Sequence, residues 1–260
     1  MPCPSVFRLF CASLLLAGCT TAPLGNEGNY ARLMKLAGDI EQRGDSATAA
    51  TLYLRAAQAP EATADAWNRL GAIRLDSGDP QAAEQAYQQA LALEPENTQS
   101  LLGLGTAQLR LGFAQRAQPL LESAATGLQT AEAFTRLGIA EAQLGHIAQA
   151  IGALAEARRL SHGDADSRSN LALAYVLDGR PEQALREVEG LDRATGAQPR
   201  HQRNVLLIQV LAGDLQTAHQ VRLSPSDDAR RAALIEQALR IKGITDSAAR
   251  AKAMGLVDEG

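Results

Sequence analysis

The chain has 260 residues, of which 46% are apolar and 3% aromatic, with 25 Lys and Arg against 29 Asp and Glu. Its net charge is −4 and its basic residues form no cluster, so a nucleic-acid surface is not indicated. A chain this poor in large rings has to build its core from helices that approach closely, and its three cysteines, Cys3, Cys11 and Cys19, all precede residue 20, which leaves none for redox or metal chemistry afterwards.

Residues 1–8 carry one basic residue, Arg8, and residues 9–18, LFCASLLLAG, are an apolar run of ten. That is too short to span about 30 Å of hydrocarbon as a helix, but suits the apolar part of a secretory signal. A buried N-terminal helix is the competing reading. Leu16-Ala17-Gly18-Cys19 resembles the lipobox of bacterial lipoprotein precursors. The resemblance implies cleavage before Cys19, acylation of that cysteine, and a mature chain from residue 19 with no other thiol. Removing Arg8 leaves 24 basic and 29 acidic residues, a net of about −5. Thr20, where an aspartate would favour the inner membrane, implies a protein facing the periplasm and anchored to the outer membrane of a Gram-negative bacterium. Residues 19–29 then read as the lipidated N-terminus and a polar tether.

From residue 30 a repeat takes over. Gly44, Gly78, Gly112, Gly145, Gly179 and Gly213 are spaced 34, 34, 33, 34 and 34 apart. Five residues after each comes an alanine: Ala49, Ala83, Ala117, Ala150, Ala184 and Ala218. Eight residues before each lies Leu36, Leu70, Leu104, Leu137, Leu171 or Val205, followed by a small residue in the first five units and by Leu206 in the sixth. The glycine is expected to end a first helix and a second to follow, with Asp79 as a cap and Pro80 and Pro181 in first turns. The small residues are expected to let paired helices touch without side chains between them, and Tyr53 and Tyr87 to cover the far end of the second helix. Trp67 reads as core. Gly103 and Gly105 occupy repeat positions, so GLGTAQ at 103–108 is not a phosphate loop.

This pattern resembles the tetratricopeptide repeat, most fully in residues 64–97, where Trp67, Leu70, Gly71, Ala83, Tyr87, Ala90 and Pro95 fit and Arg74 replaces an aromatic. The expected fold is all-α: a right-handed α-solenoid of about six helix-turn-helix repeats over residues 30–222, with a C-terminal helical cap at 223–260. Leu206 and Pro225 suggest a truncated or distorted sixth unit. The tail reads as a helix over 227–241 ended by Gly243, then a second segment that Thr245 would cap; a separate partner-binding helix is the competing reading.

Enzymatic motifs are absent from the sequence: no nucleophile elbow, phosphate loop or dinucleotide fingerprint. His146, His162, His201 and His219 lack metal spacing and read as surface residues. The expected protein is therefore non-enzymatic, with no cofactor, no metal, no nucleic acid and no small-molecule substrate. The repeat register places Asp65, Asn68, Gln99, Leu102, Thr106, Arg110, Glu132, Thr135, Ile139, Gln143, Asn170 and Leu173 toward a concave groove for a protein partner, with Arg110 and Thr135 expected in solvent. A lipobox joined to about six such repeats is similar to the lipoprotein of tight-adherence (Tad, or Flp) pilus assembly, as is RNVLLIQVLAGDLQTAHQV at 203–221. That resemblance implies a scaffold that helps an outer-membrane secretin localise or assemble. Pilotins of type IV pilus secretins and adaptors for peptidoglycan-modifying enzymes share the same features. An enzyme carried on the repeats would need a second folded domain, which residues 223–260 are too few to form.

Overall fold

The computed structural model describes residues 28–223 and 228–255. The expected signal, Cys19, most of the expected tether and Pro225 lie outside the described residues. The described residues are all helical in architecture. Five helix pairs come first: α1 (Asn29–Gln42) with α2 (Ser46–Ala57), α3 (Ala64–Asp76) with α4 (Pro80–Leu93), α5 (Thr98–Arg110) with α6 (Ala114–Leu128), α7 (Ala131–Gln143) with α8 (Ile147–Leu160), and α9 (Ala165–Leu177) with α10 (Pro181–Val188). Then come α11 (Pro199–Ala212), α12 (Leu215–Ala218), α13 (Asp228–Lys242) and α14 (Ser247–Ala253).

Each pair closes at its glycine. All six repeat glycines have positive φ, from 71° at Gly179 to 96° at Gly213, a backbone state that costs glycine little and side-chain-bearing residues more. Asp45, Asp79 and Asp214 then cap the second helices by accepting from the backbone N–H groups of Thr48, Ala82 and Thr217. The six alanines five residues later are all fully buried.

The small positions work differently from the sequence expectation. A Cβ on Gly71 would lie 2.8 Å from the Tyr87 ring, one on Gly105 2.6 Å from Leu121, and one on Gly138 2.6 Å from Leu154. Each of these glycines of a first helix thus seats a large side chain from its paired second helix. Tyr87 does not cover a helix end; it is buried with Gly71 on one side and Gly103, on the next first helix, on the other. Tyr53, also buried, donates to Glu41 at 2.7 Å.

Neighbouring units are stitched by polar contacts in the same register. Gln108 donates to Glu84 at 3.2 Å, and one unit on Gln118 donates to Glu141 at 3.0 Å, so the amide and the carboxylate have exchanged sides. First helices also pack on first helices: α3 on α5, α5 on α7, α7 on α9 and α9 on α11. The second helices make no comparable contacts with one another, so the stack bends with the first helices inside. Leu36, in the first unit, is 47% exposed because the face its equivalents bury against the preceding second helix has no such helix among the described residues.

The sixth unit is curtailed. Its second helix, α12, is four residues long, and α11 packs against α13 as well. Leu206 therefore occupies a small-residue position without overcrowding and is buried. Helix α13 sets Ile235, Ala238 and Ile241 into the last core cluster and closes the end of the stack. Asp246, not Thr245, caps α14, accepting from the Ala249 N–H at 2.7 Å. Helix α14 then turns away from the end and lies on α7 and α9.

Candidate partner-binding groove

The curvature puts the inner face on α3, α5, α7, α9 and α11. Along it, one register position carries Asp65, Gln99, Glu132, Asp166 and Arg200, each 33 or 34 residues from the last. The first three were expected from sequence; the register also held the signal for Asp166 and Arg200. A second position carries Asn68, Leu102, Thr135, Ser169 and Arg203, and a third Thr106, Ile139, Leu173 and Leu207.

The twelve expected residues divide. Asp65, Gln99 and Glu132 are exposed, Asp65 pairing with Arg69 at 3.6 Å and Glu132 with Arg136 at 4.0 Å. Asn68, Arg110, Thr135 and Asn170 are half-buried. Asn68 accepts from the Ser100 hydroxyl at 2.7 Å, and Thr135 donates to the Ala131 carbonyl at 2.8 Å. Arg110 is not a solvent residue, because its guanidinium donates to the Leu75 carbonyl at 2.6 Å and satisfies the C-terminal end of α3. Leu102, Thr106, Ile139, Gln143 and Leu173 are buried. Close packing of α5 between α3 and α7 encloses Leu102 and Thr106, and Thr106 turns its hydroxyl back onto the Leu102 carbonyl. Ile139, Gln143 and Leu173 sit on the two helices that α14 overlies.

Between α7, α9 and α11 on one side and α13 and α14 on the other lies a cleft of about 600 Å³. Glu132, Thr135, Arg136, Ile139, Asn170 and Arg203 wall its inner face, and Leu234, Gln237 and Met254 its outer one. The tail residues were missed because sequence reading placed the whole tail at the end of the stack.

Asp166 and Arg200 form a two-pronged pair beside the cleft, with Nε at 2.9 Å and Nη2 at 2.8 Å from the two carboxylate oxygens. His201 joins them and corrects the surface reading, since it is buried. Its Nδ1 accepts from the Gln198 N–H at 3.2 Å, so the proton sits on Nε2, which donates to Asp166 at 2.8 Å. Burial pushes the Asp166 carboxyl up, but the hydrogen bonds from Arg200 and His201 and the charge of Arg200 outweigh it and hold the group below the usual carboxylate range. The constellation orients α11 on α9. Among the described residues no group of three or more His, Cys, Asp or Glu could hold a metal ion, and no helix is long and apolar enough to cross a membrane.

The family model described as the cilia and flagella-associated protein 70 middle TPR-like domain matches residues 33–189. A curated relative, cellulose synthase operon protein C of Xanthomonas axonopodis pv. citri (strain 306), is 31% identical over 199 residues. That match covers 73% of this chain but 13% of the relative. Among solved structures, PilW, titled a widely conserved type IV pilus biogenesis factor, superposes with a TM-score of 0.68 at 16% identity, covering 81% of this chain and 98% of PilW. PilF of Pseudomonas aeruginosa gives 0.61 at 19% identity, covering 74% and 88%. At these identities the likeness is one of fold.

Proposed function

The chain belongs to the tetratricopeptide-like family matched over residues 33–189, and from that premise we propose that it is a non-enzymatic scaffold that holds a protein partner on the inner face of its repeats. The observation that carries the reading is the inner face itself: a row of first helices presenting Asp65, Gln99 and Glu132 in one register, leading to a cleft that no side chain of the described residues fills. A peptide or helix laid along such a row meets one equivalent set of side chains per unit.

The proposed setting is the periplasm, with the chain held at the outer membrane through acylated Cys19. The LAGC sequence and the short apolar run before it support the anchor. Several acyl chains on one residue would hold the protein far more firmly than the marginal binding of one. The proposed partner is an outer-membrane secretin or another component of Tad (Flp) pilus assembly. Support comes from the lipobox with repeats and from residues 203–221. The fold likeness to PilW and PilF favours a second reading, a factor for a type IV pilus secretin. Chemical crosslinking in intact cells followed by affinity recovery separates them: the first reading expects the Tad secretin in the adduct, the second a type IV pilus secretin. Recovery of neither from piliated cells would remove both.

A further inference from the structure

Helix α14 occupies the groove that the repeats would otherwise offer to a partner. It has 7 residues, and the helix it lies on, α7, has 13. At about 1.5 Å per residue it covers roughly half of that track. Ser247 and Ala248 sit beside Gly145 at the C-terminal end of α7; Met254 and Gly255 reach the cleft walled by Thr135 and Ile139. The side turned inward is one helical stripe: Ser247 is half-buried, Ala251 fully buried and Met254 nearly so, at spacings of four and three. Ala249 and Lys252 face out, and Ala253, also exposed, borders the cleft.

Among the described residues little ties α14 down. A helix this short does not hold its shape alone in water. Its own fixings are the Asp246 cap and the Arg250 guanidinium, which donates to the Ile244 carbonyl within the same tail. Its large inserted side chain is Met254, an unbranched and adaptable one. By contrast, α13 buries Ile235, Ala238 and Ile241.

We propose that α14 is an internal stand-in for the partner, and that the partner is an amphipathic helix that displaces it from α7 and α9. Such a helix presents a small residue and, three positions on, an unbranched apolar one. It is longer than α14, so that it continues into the cleft, where Glu132, Arg136, Arg203 and Asn204 meet mixed polar side chains. The apparent affinity of the groove for any such helix is reduced by the fraction of molecules in which α14 is docked. The inference rests on the partner reading above, but its test needs no partner.

The probe is a fluorescein-labelled peptide of residues 243–255, titrated against the full chain. Wild-type protein is expected to bind it weakly, because the tethered α14 competes at high effective concentration. Ala251→Asp and, separately, Met254→Ser in the chain are expected to raise its affinity by about tenfold or more. A peptide carrying Met254→Asp is expected not to bind either variant. In the wild type, amide hydrogens of α14 should exchange faster than those of α7 and α9. Circular dichroism checks that the variants fold. Folded variants that bind no better than wild type, α14 amides as protected as those of α7, or failure of both variants to fold would each overturn the proposal. Peptide exchange with no secretin recovered from cells would keep the self-occupied groove and remove the partner reading.

Discussion

Gly103 shows how much one missing methyl group can decide. Its Cβ would stand 2.2 Å from the Tyr87 ring, which Gly71 already confines on the other side. Gly103→Ala is therefore expected to destabilise the fold by about 1–3 kcal/mol, the usual cost of overpacking. Gly152, exposed inside α8 with nothing within 4 Å, is the control. Gly152→Ala should stabilise by about 0.5–1 kcal/mol through helix propensity. Thermal unfolding of both variants checks the opposite signs. Asp166 supplies a pH test. Its folded carboxyl titrates below the usual range, burial opposing and the Arg200 and His201 hydrogen bonds prevailing. Its contribution is thus present in full above the unfolded carboxylate value near 4 and is lost as pH falls through the lower, folded value. Asp166→Asn should lower stability at pH 7 by about 0.5 kcal/mol, the scale of a solvent-screened pair, and the gap should close toward pH 3. A gap that widened on acidification would reverse the sign.

At the scale of the element, the helix pairs were legible because their breaks are chemical. A glycine at positive φ and a buried alanine recur in all six units, with an aspartate cap in three of them, and each has a local cause. What could not be read was where a side chain goes after leaving its helix. Arg110 sits at an inner-face position, yet its guanidinium reaches back to the Leu75 carbonyl, a partner 35 residues earlier in sequence. Arg110→Glu should consequently cost about 0.5–1.5 kcal/mol rather than be neutral. Thr135→Ser, which keeps its bond to the Ala131 carbonyl, should change stability by less than about 0.5 kcal/mol. The tail was half legible: its first helix follows from an apolar pattern, but its role depends on α12 being only one turn long. Ile241→Ala should remove part of the closure of α11, costing about 2–5 kcal/mol. In a stack that couples nearest neighbours, the loss should appear as faster amide exchange in α11 and α13, with α1–α4 unchanged.

The whole molecule is a curved row of equivalent first helices whose two halves differ. Among the described residues nothing covers the inner face toward α3 and α5, whereas toward α7 and α9 it is covered by α14. The repeat register was enough to find the exposed row of Asp65, Gln99 and Glu132, which runs from α3 to α7. It named Ile139, Gln143, Asn170 and Leu173 on α7 and α9 but could not show that α14 covers those helices, because helix order along a chain does not say which earlier unit a short terminal helix will return to. The anchor proposal is tested at this scale too: Cys19→Ser should abolish incorporation of a palmitate analogue and release the protein from the outer-membrane fraction, and equal labelling of variant and wild type would refute it. The central claim is that the inner face receives the partner. Its most direct test is a photocrosslinking residue placed in intact cells at Gln99, exposed on α5, and separately at Gln88, exposed on the second helix α4. The account predicts a discrete secretin-containing adduct from position 99 and none from position 88; adducts from position 88 alone, or equally from both, would contradict it.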